Sequence, residues 1–201
     1  MKITGIKQQE RLKGRYSIYV DEKYAFSLSA DALLDSKLHQ GQEIDEQQLK
    51  SFKKLSADDK AYGLSLMYAA RRLRSRYEFT DYLRRKGYDA ELSDQIMEKL
   101  EKLGLIDDEK FARAWVNDRR LLKPVSRRRL TQELRQKRIE SDTIDRVLAE
   151  DTVDERDVLR ELVARRRRQT KYQDDMKLMQ YLARQGFSYD DIKTALNEEK
   201  V

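Results

Sequence analysis

Three stretches of the chain carry the same apolar skeleton at intervals of 48 residues, and this repetition limits the possible folds more than any other feature. The segments "QIMEKL", "TIDRVL" and "DIKTAL" place Ile96, Ile144 and Ile192, and likewise Leu100, Leu148 and Leu196, at that spacing. Ahead of them lie the i, i+4 pairs Phe79/Leu83, Leu130/Leu134 and Leu178/Leu182, each followed by a turn-closing Tyr88, Ile139 or Phe187. A further pair precedes each of these: Tyr62/Leu66, Phe111/Trp115 and Leu159/Val163. Residues four apart share one helical face, so each unit reads as three helices with a narrow apolar stripe apiece. The spacing predicts a mainly α chain of three tandem three-helix repeats, at residues 58–106, 107–153 and 154–201. The links "GLIDD" and "EDTVDE" are short, so neighbouring repeats should stack into an elongated, curved array.

Punctuation agrees with this division. Gly104 can take the left-handed conformation that ends a helix at little cost, and Asp107 and Asp108 suit the positive end of the next helix. Of 201 residues, 40% are charged, against about a quarter in an ordinary soluble domain. Little is left for one wide core, whereas small modules need only narrow stripes. A single proline, Pro124, and seven scattered glycines also fit helices with short connections.

Residues 1–57 differ. After Gly14, "RYSIYV" alternates Tyr16, Ile18 and Val20 with Ser17 and Tyr19, "DEK" turns, and "YAFSL" returns, which predicts a small antiparallel sheet or hairpin. Such a sheet needs a cover. "SADALLDSKLHQG" offers one, with Ser29 as N-cap, Leu33, Leu34 and Leu38 as the apolar side, and Gly41 as the stop. A further short helix is expected behind Asp45.

Catalytic chemistry has little to work with. The only histidine, His39, falls near a helix end, there is no cysteine, and no glycine-rich phosphate loop is present. The acid pairs Asp58/Asp59, Asp107/Asp108, Asp174/Asp175 and Asp190/Asp191 fall near expected helix starts, where the dipole accounts for them without a metal. No enzyme activity and no cofactor are expected. No apolar run is long enough for a signal peptide or a bilayer span, so a cytoplasmic protein without membrane contact is expected.

The excess charge, +6 from 43 basic and 37 acidic residues, is spread evenly along the chain, but basic side chains gather in three clusters. They are Arg71, Arg72, Arg74 and Arg76; Arg119, Arg120, Lys123, Arg127, Arg128 and Arg129; and Arg165, Arg166, Arg167, Arg168 and Lys171. Each lies between the first and second helices of its repeat. Cations favour helix C-termini, but that explains one or two per helix and not four in succession. Arg127–Arg129 open a helix, where positive charge opposes the dipole, so local helix stability gives no reason for them. Stacked repeats would align the clusters as a basic stripe. Its arginines can grip phosphate or carboxylate with two parallel hydrogen bonds.

The stretches "RSRYEFTDYLRRKGY", "IMEKLEKLGLIDDEKFARAWVNDR" and "SRRRLTQELRQKRI" closely resemble the RecX family of bacterial recombination regulators, over residues of about 58 to 201. The strand-containing N-terminus looks like the extension of longer members. The resemblance implies a monomeric, non-enzymatic negative regulator that lodges in the groove of the RecA–DNA filament. There it would inhibit RecA's ATPase and strand exchange, with roles in recombination, repair and the SOS response; some members also bind single- or double-stranded DNA. The competing expectation is an autonomous DNA-binding protein working through its arginines without RecA. Many relatives carry glycine near Lys123 and at the second helix's stop, where this chain has Arg138, both departures adding positive charge.

Overall fold

The computed structural model describes residues 1–199; Lys200 and Val201, the end of the third repeat, lie outside them. The chain divides into two compact units, one of residues 1–72 with 87–100 and one of residues 73–86 with 101 onward.

In the first unit β1 (Ile3–Gln8), β2 (Arg15–Val20) and β3 (Lys23–Ser29) form an antiparallel sheet in that order. Asp21 and Glu22 join β2 to β3 with φ of 45° and 65°. Two positive φ angles make the turn whose handedness matches the twist of the flanking strands. Ile3, Ile18, Val20, Phe26 and Leu28 are buried together on one face. The cover is shared between α1 (Ala30–Ser36), whose N-cap Ser29 Oγ accepts from the Ala32 amide at 3.2 Å and which lays Ala32 and Leu33 on that face, and the helix after Asp45, whose Leu49 and Phe52 pack on the same core. Two expectations are corrected here. α1 stops at Ser36, with Lys37 rather than Gly41 in the left-handed cap at φ 53°, and Leu34 is 75% exposed.

A third correction concerns the helix behind Asp45, which is not short. Asp45 and Gln48 form a reciprocal capping box, and α2 then runs unbroken from Glu46 to Ala70. Residues 56–59, "SADD", have the composition of a helix start but lie within α2. Their polar groups turn sideways to the edge of β3. Ser56 Oγ donates to Ser27 O at 2.6 Å, and Asp59 accepts from the Ser29 amide and hydroxyl at 2.9 and 2.5 Å. Asp59 also pairs with Arg15 at 2.8 Å. α4 (Ala90–Lys102) buries Ile96, Met97 and Leu100.

The second unit contains α3 (Arg76–Arg85), then α5 (Asp108–Leu122), α6 (Arg127–Gln136) and α7 (Ser141–Glu150) of the middle repeat. The last repeat follows as α8 (Glu155–Arg167), α9 (Asp175–Arg184) and α10 (Tyr189–Glu198), with a 3-10 turn at Thr170–Tyr172. Each of these two repeats has its own apolar core, in which the second- and third-helix residues that the 48-residue period selects join buried residues of the first helix.

The first helices keep a different register. Their buried positions include Ala61 and Ser65 in the first repeat, Phe111, Ala112 and Val116 in the middle one, and Val158, Leu159 and Val163 in the last, so the last two repeats match here at a spacing of 47. Tyr62, Leu66 and Trp115 are therefore half-buried neighbours of the contact positions and not their centre. The N-caps Asp107 and Asp154 follow the same spacing of 47.

Second helices end on a left-handed residue, which is glycine at Gly87 and Gly186 but Arg138 in the middle repeat, at φ 59°. The Arg138 guanidinium lies over the Tyr77 ring, 5.8 Å from its centroid. An L-residue in this conformation costs roughly 1–2 kcal/mol, and an exposed cation–π contact returns part of it. Arg138→Gly is accordingly expected to raise stability by about 1 kcal/mol in urea unfolding; a loss would mean that the Tyr77 contact outweighs the backbone strain.

Candidate functional site

The arginine clusters separate into side chains used to hold the repeats together and side chains that face outward. Arg120 is turned inward. Its Nε and Nη2 donate to Asp151 at 3.0 and 2.6 Å and its Nη1 to Val125 O at 2.8 Å, with side-chain exposures of 9% for Arg120 and 5% for Asp151. Arg167, 47 residues on, does the same work in the last repeat. It donates to Tyr172 O and Gln173 O at 3.1 and 2.8 Å and pairs with Asp175 and with Glu199, the latter at 2.9 Å. Each clamp thus ties the link after the first helix to the carboxylate that closes the third helix. The Asp175 and Glu199 carboxylates raise the Arg167 guanidinium above its ordinary pKa.

Arg76 and Arg127 belong to the joints between repeats. The Arg76 amide donates to Asp108 at 2.7 Å and the Arg127 amide to Glu155 at 3.2 Å. In both cases the first acid of one repeat's first helix caps the second helix of the repeat before it. The two acids of the first joint are set differently. The Lys110 amide lowers the pKa of Asp107, whereas burial raises that of Asp108. The Arg76 side chain pairs with Glu101, and Arg127 Nη2 donates to Leu148 O and, at 3.1 Å, to Asp151 O. Arg127 therefore has a structural purpose that its own helix dipole does not reveal: it sits against the negative end of α7.

Arg119 lies between Trp115 and Glu133. Its Nε donates to Glu133 at 2.6 Å and its guanidinium is 4.6 Å from the Trp115 ring. Glu133 also accepts from Trp115 Nε1 at 2.9 Å and pairs with Arg129 at 3.4 Å. Lys137 approaches the same ring at 5.2 Å and pairs with Glu78 on α3 at 2.7 Å.

The remaining cations of the clusters differ in exposure. Arg71, Arg72, Lys123, Arg128, Arg165, Arg168 and Lys171 are exposed, and Arg74 and Arg166 are half-buried. Leu121 and Leu122, 78% and 68% exposed, stand directly before Lys123. Sequence reading missed this apolar pair because it sits off the core stripe of α5, which is itself the available signal. No helix among the described residues is long and apolar enough to cross a membrane.

Comparison with known proteins covers the same elements. The RecX N-terminal domain model matches residues 1–45, and the models of the first, second and third RecX three-helix domains match residues 61–100, 107–148 and 154–196. "Regulatory protein RecX" of Lactobacillus johnsonii is 38% identical over 116 residues, 58% of this chain and 42% of that protein. The Bacillus pumilus protein of the same name is 36% identical over 118 residues, 59% of this chain and 45% of the relative. The matched part thus spans under half the length of these curated relatives. A crystal structure of regulatory protein RecX aligns over 98% of both chains with a TM-score of 0.75 and 30% identity. RecX from Lactobacillus salivarius aligns over 70% of this chain and 95% of its own, with a TM-score of 0.54 and 26% identity. With four successive segments matched by its models and a solved member superposing end to end, the chain belongs to the RecX family of regulatory proteins.

Proposed function

We propose that this protein is a negative regulator of RecA, binding along the groove of the RecA–DNA filament as a cytoplasmic monomer and inhibiting ATP hydrolysis and strand exchange. The observation that carries this reading is membership of the RecX family, whose members act on RecA according to the resemblance described above. The surface supports it. Leu121 and Leu122 beside Lys123 and Arg128 pair apolar anchors with cations, the chemistry that suits a protein surface bearing carboxylates. Arg71, Arg72 and Arg74 in the first repeat and Arg165, Arg168 and Lys171 in the last are the further candidate contacts.

The test is RecA's DNA-dependent ATPase, titrated with this protein alongside its binding to naked DNA. Inhibition is expected at concentrations well below those that coat the DNA. Leu121→Ser/Leu122→Ser is expected to weaken inhibition about tenfold while leaving the fold intact, because both side chains are already in water. A second reading, autonomous DNA binding through the arginines, is favoured by the exposed cations of the last repeat. It predicts tight, steeply salt-dependent binding to naked DNA. Stoichiometric relief of inhibition by added naked DNA would replace the first reading with this one.

A further inference from the structure

We propose that the cleft between α1, α2 and α4, within the first compact unit, is a docking groove for a basic, amphipathic segment of a partner protein. An aliphatic anchor of that segment sits on its floor, and lysine or arginine side chains meet its rim.

The cleft encloses about 410 Å³, a size at which protein clefts take ligands. Its floor is apolar, formed by Leu55 and Tyr62 of α2 and by Leu92 and Ile96 of α4. Its rim is acidic, with Asp31 and Asp35 of α1 and Asp58 of α2. Asp59, beside them, is spent on Arg15 and on the amide of Ser29. The other three carboxylates make no hydrogen bond or ion pair among the described residues.

Local structure gives no reason for most of these acids. Asp31 suits the first turn of α1, but Asp35 stands in the last turn, where the helix dipole opposes it. The two are four apart on one helical face, a spacing at which like charges repel. Asp58 lies well inside α2, which starts at Glu46. Lys99, the one cation lining the cleft, holds its ammonium 5.1 Å from the centre of the Tyr62 ring and not on a carboxylate.

The later repeats show the same cleft with its charges paired. Tyr62 corresponds to Arg113 and Arg160 in the register of the buried first-helix positions, and Lys102 corresponds to Glu150 and Glu198 at the 48-residue period. Arg113 holds Glu150 through two hydrogen bonds of 2.8 and 2.9 Å and pairs with Glu109 at 2.6 Å. Arg160 pairs with Glu198 at 2.8 Å and with Asp157 at 3.1 Å. In those repeats the bridge from first to third helix consumes the carboxylates. Tyr62 can form no such bridge, and the acids of its cleft stay uncompensated.

Charge and spacing decide the occupant. The rim repels phosphate, so nucleic acid and anionic membranes do not fit it. Among the described residues no three carboxylates converge closely enough to hold a metal ion. Carboxylates spread around an apolar floor match ammonium and guanidinium groups on long aliphatic stems, which lie along such a surface while their charged ends reach the rim. A free polyamine has no branched side chain to fill the floor. An amphipathic segment supplies one.

The experiment is anisotropy of the fluorescein-labelled peptide Lys-Leu-Arg-Lys-Leu-Leu-Arg with the full chain, without RecA or DNA. It compares wild type, Asp31→Asn/Asp35→Asn and Leu55→Ser, changes at exposed positions that leave the fold intact. Saturable binding is expected, weakened about tenfold by the double variant, severalfold by Leu55→Ser, and further by added salt. The same peptide with serine in place of leucine should bind about tenfold more weakly than the original. Failure of wild type to bind the peptide, or equal affinity in the folded double variant, would overturn the proposal. So would displacement by spermidine as readily as by unlabelled peptide, which would make the cleft a polyamine site. Self-association of the wild type in sedimentation that the double variant abolishes would also overturn it, by seating a second copy of this chain in the cleft.

Discussion

Asp151→Ala is expected to remove about 3–5 kcal/mol of folding stability, read as a lower urea midpoint at unchanged slope. Asp151 closes α7 and accepts two hydrogen bonds from Arg120, and both side chains are almost fully enclosed. Alanine leaves the Arg120 guanidinium in place with one remaining partner, the Val125 carbonyl at 2.8 Å. A charge stranded in that position costs far more than the pair itself contributes, because in the intact pair the attraction is largely offset by desolvation. The double variant Arg120→Met/Asp151→Leu should therefore recover most of the loss despite lacking every polar contact of the clamp. A loss below about 1 kcal/mol for Asp151→Ala, the size seen for exposed pairs, would show that water reaches the clamp.

The positions that failed to show in the sequence share a physical cause. Leu130/Leu134 and Leu178/Leu182 were legible because large aliphatic side chains four apart announce a buried stripe. In the first helices Leu159, Val163 and Phe111 are buried as their spacing predicts, but Tyr62, Leu66 and Trp115 are only half-buried, because the neighbouring buried positions include Ala61, Ser65 and Ala112, small residues with almost no hydrophobic signal. The unbroken α2 was hidden because Ser56 and Asp59 have the chemistry of helix caps but spend it on the edge of β3. The arginine clusters were visible as clusters. Their division was not, because Arg120, Arg127 and Arg167 are committed by acceptors distant in sequence: Asp151, the end of α7, and Glu199.

That division changes what a charge-removal experiment means. Neutralising Arg127 takes away a cap from the last turn of α7, and neutralising Arg120 or Arg167 opens a clamp, so loss of inhibition in such variants would report unfolding as readily as lost contact. Lys123, Arg128, Arg165 and Arg168 are free of this ambiguity. They are exposed and make no ion pair among the described residues, and their substitution tests the surface alone.

Gly186→Ala is the second substitution expected to be severe, at about 3 kcal/mol. Gly186 ends α9 at φ +96°, and the neighbouring Gln185 carbonyl accepts from the Ser126 amide at 3.0 Å, which brings the last repeat directly against the start of α6. A methyl group on Gly186 would press on Ser126 Oγ and lie 2.9 Å from Arg129 Cβ and 3.2 Å from the Arg129 nitrogen. Ser126 is fully buried, and its hydroxyl accepts from the Arg129 amide at 3.1 Å, so it cannot swing aside without uncapping α6. Arg138 separates the two parts of the cost. It is the equivalent residue of the middle repeat and holds the left-handed conformation with a full side chain, so the dihedral alone accounts for roughly 1–2 kcal/mol. The remainder is the collision between repeats, which one methyl group in a packed contact makes typically about 1–3 kcal/mol. If Gly186→Ala costs no more than Arg138→Gly returns, the contact between Gln185–Gly186 and Ser126–Arg129 is loose in solution. The middle and last repeats would then move independently, and the clamp at Arg167, which is internal to the last repeat, would be left untouched.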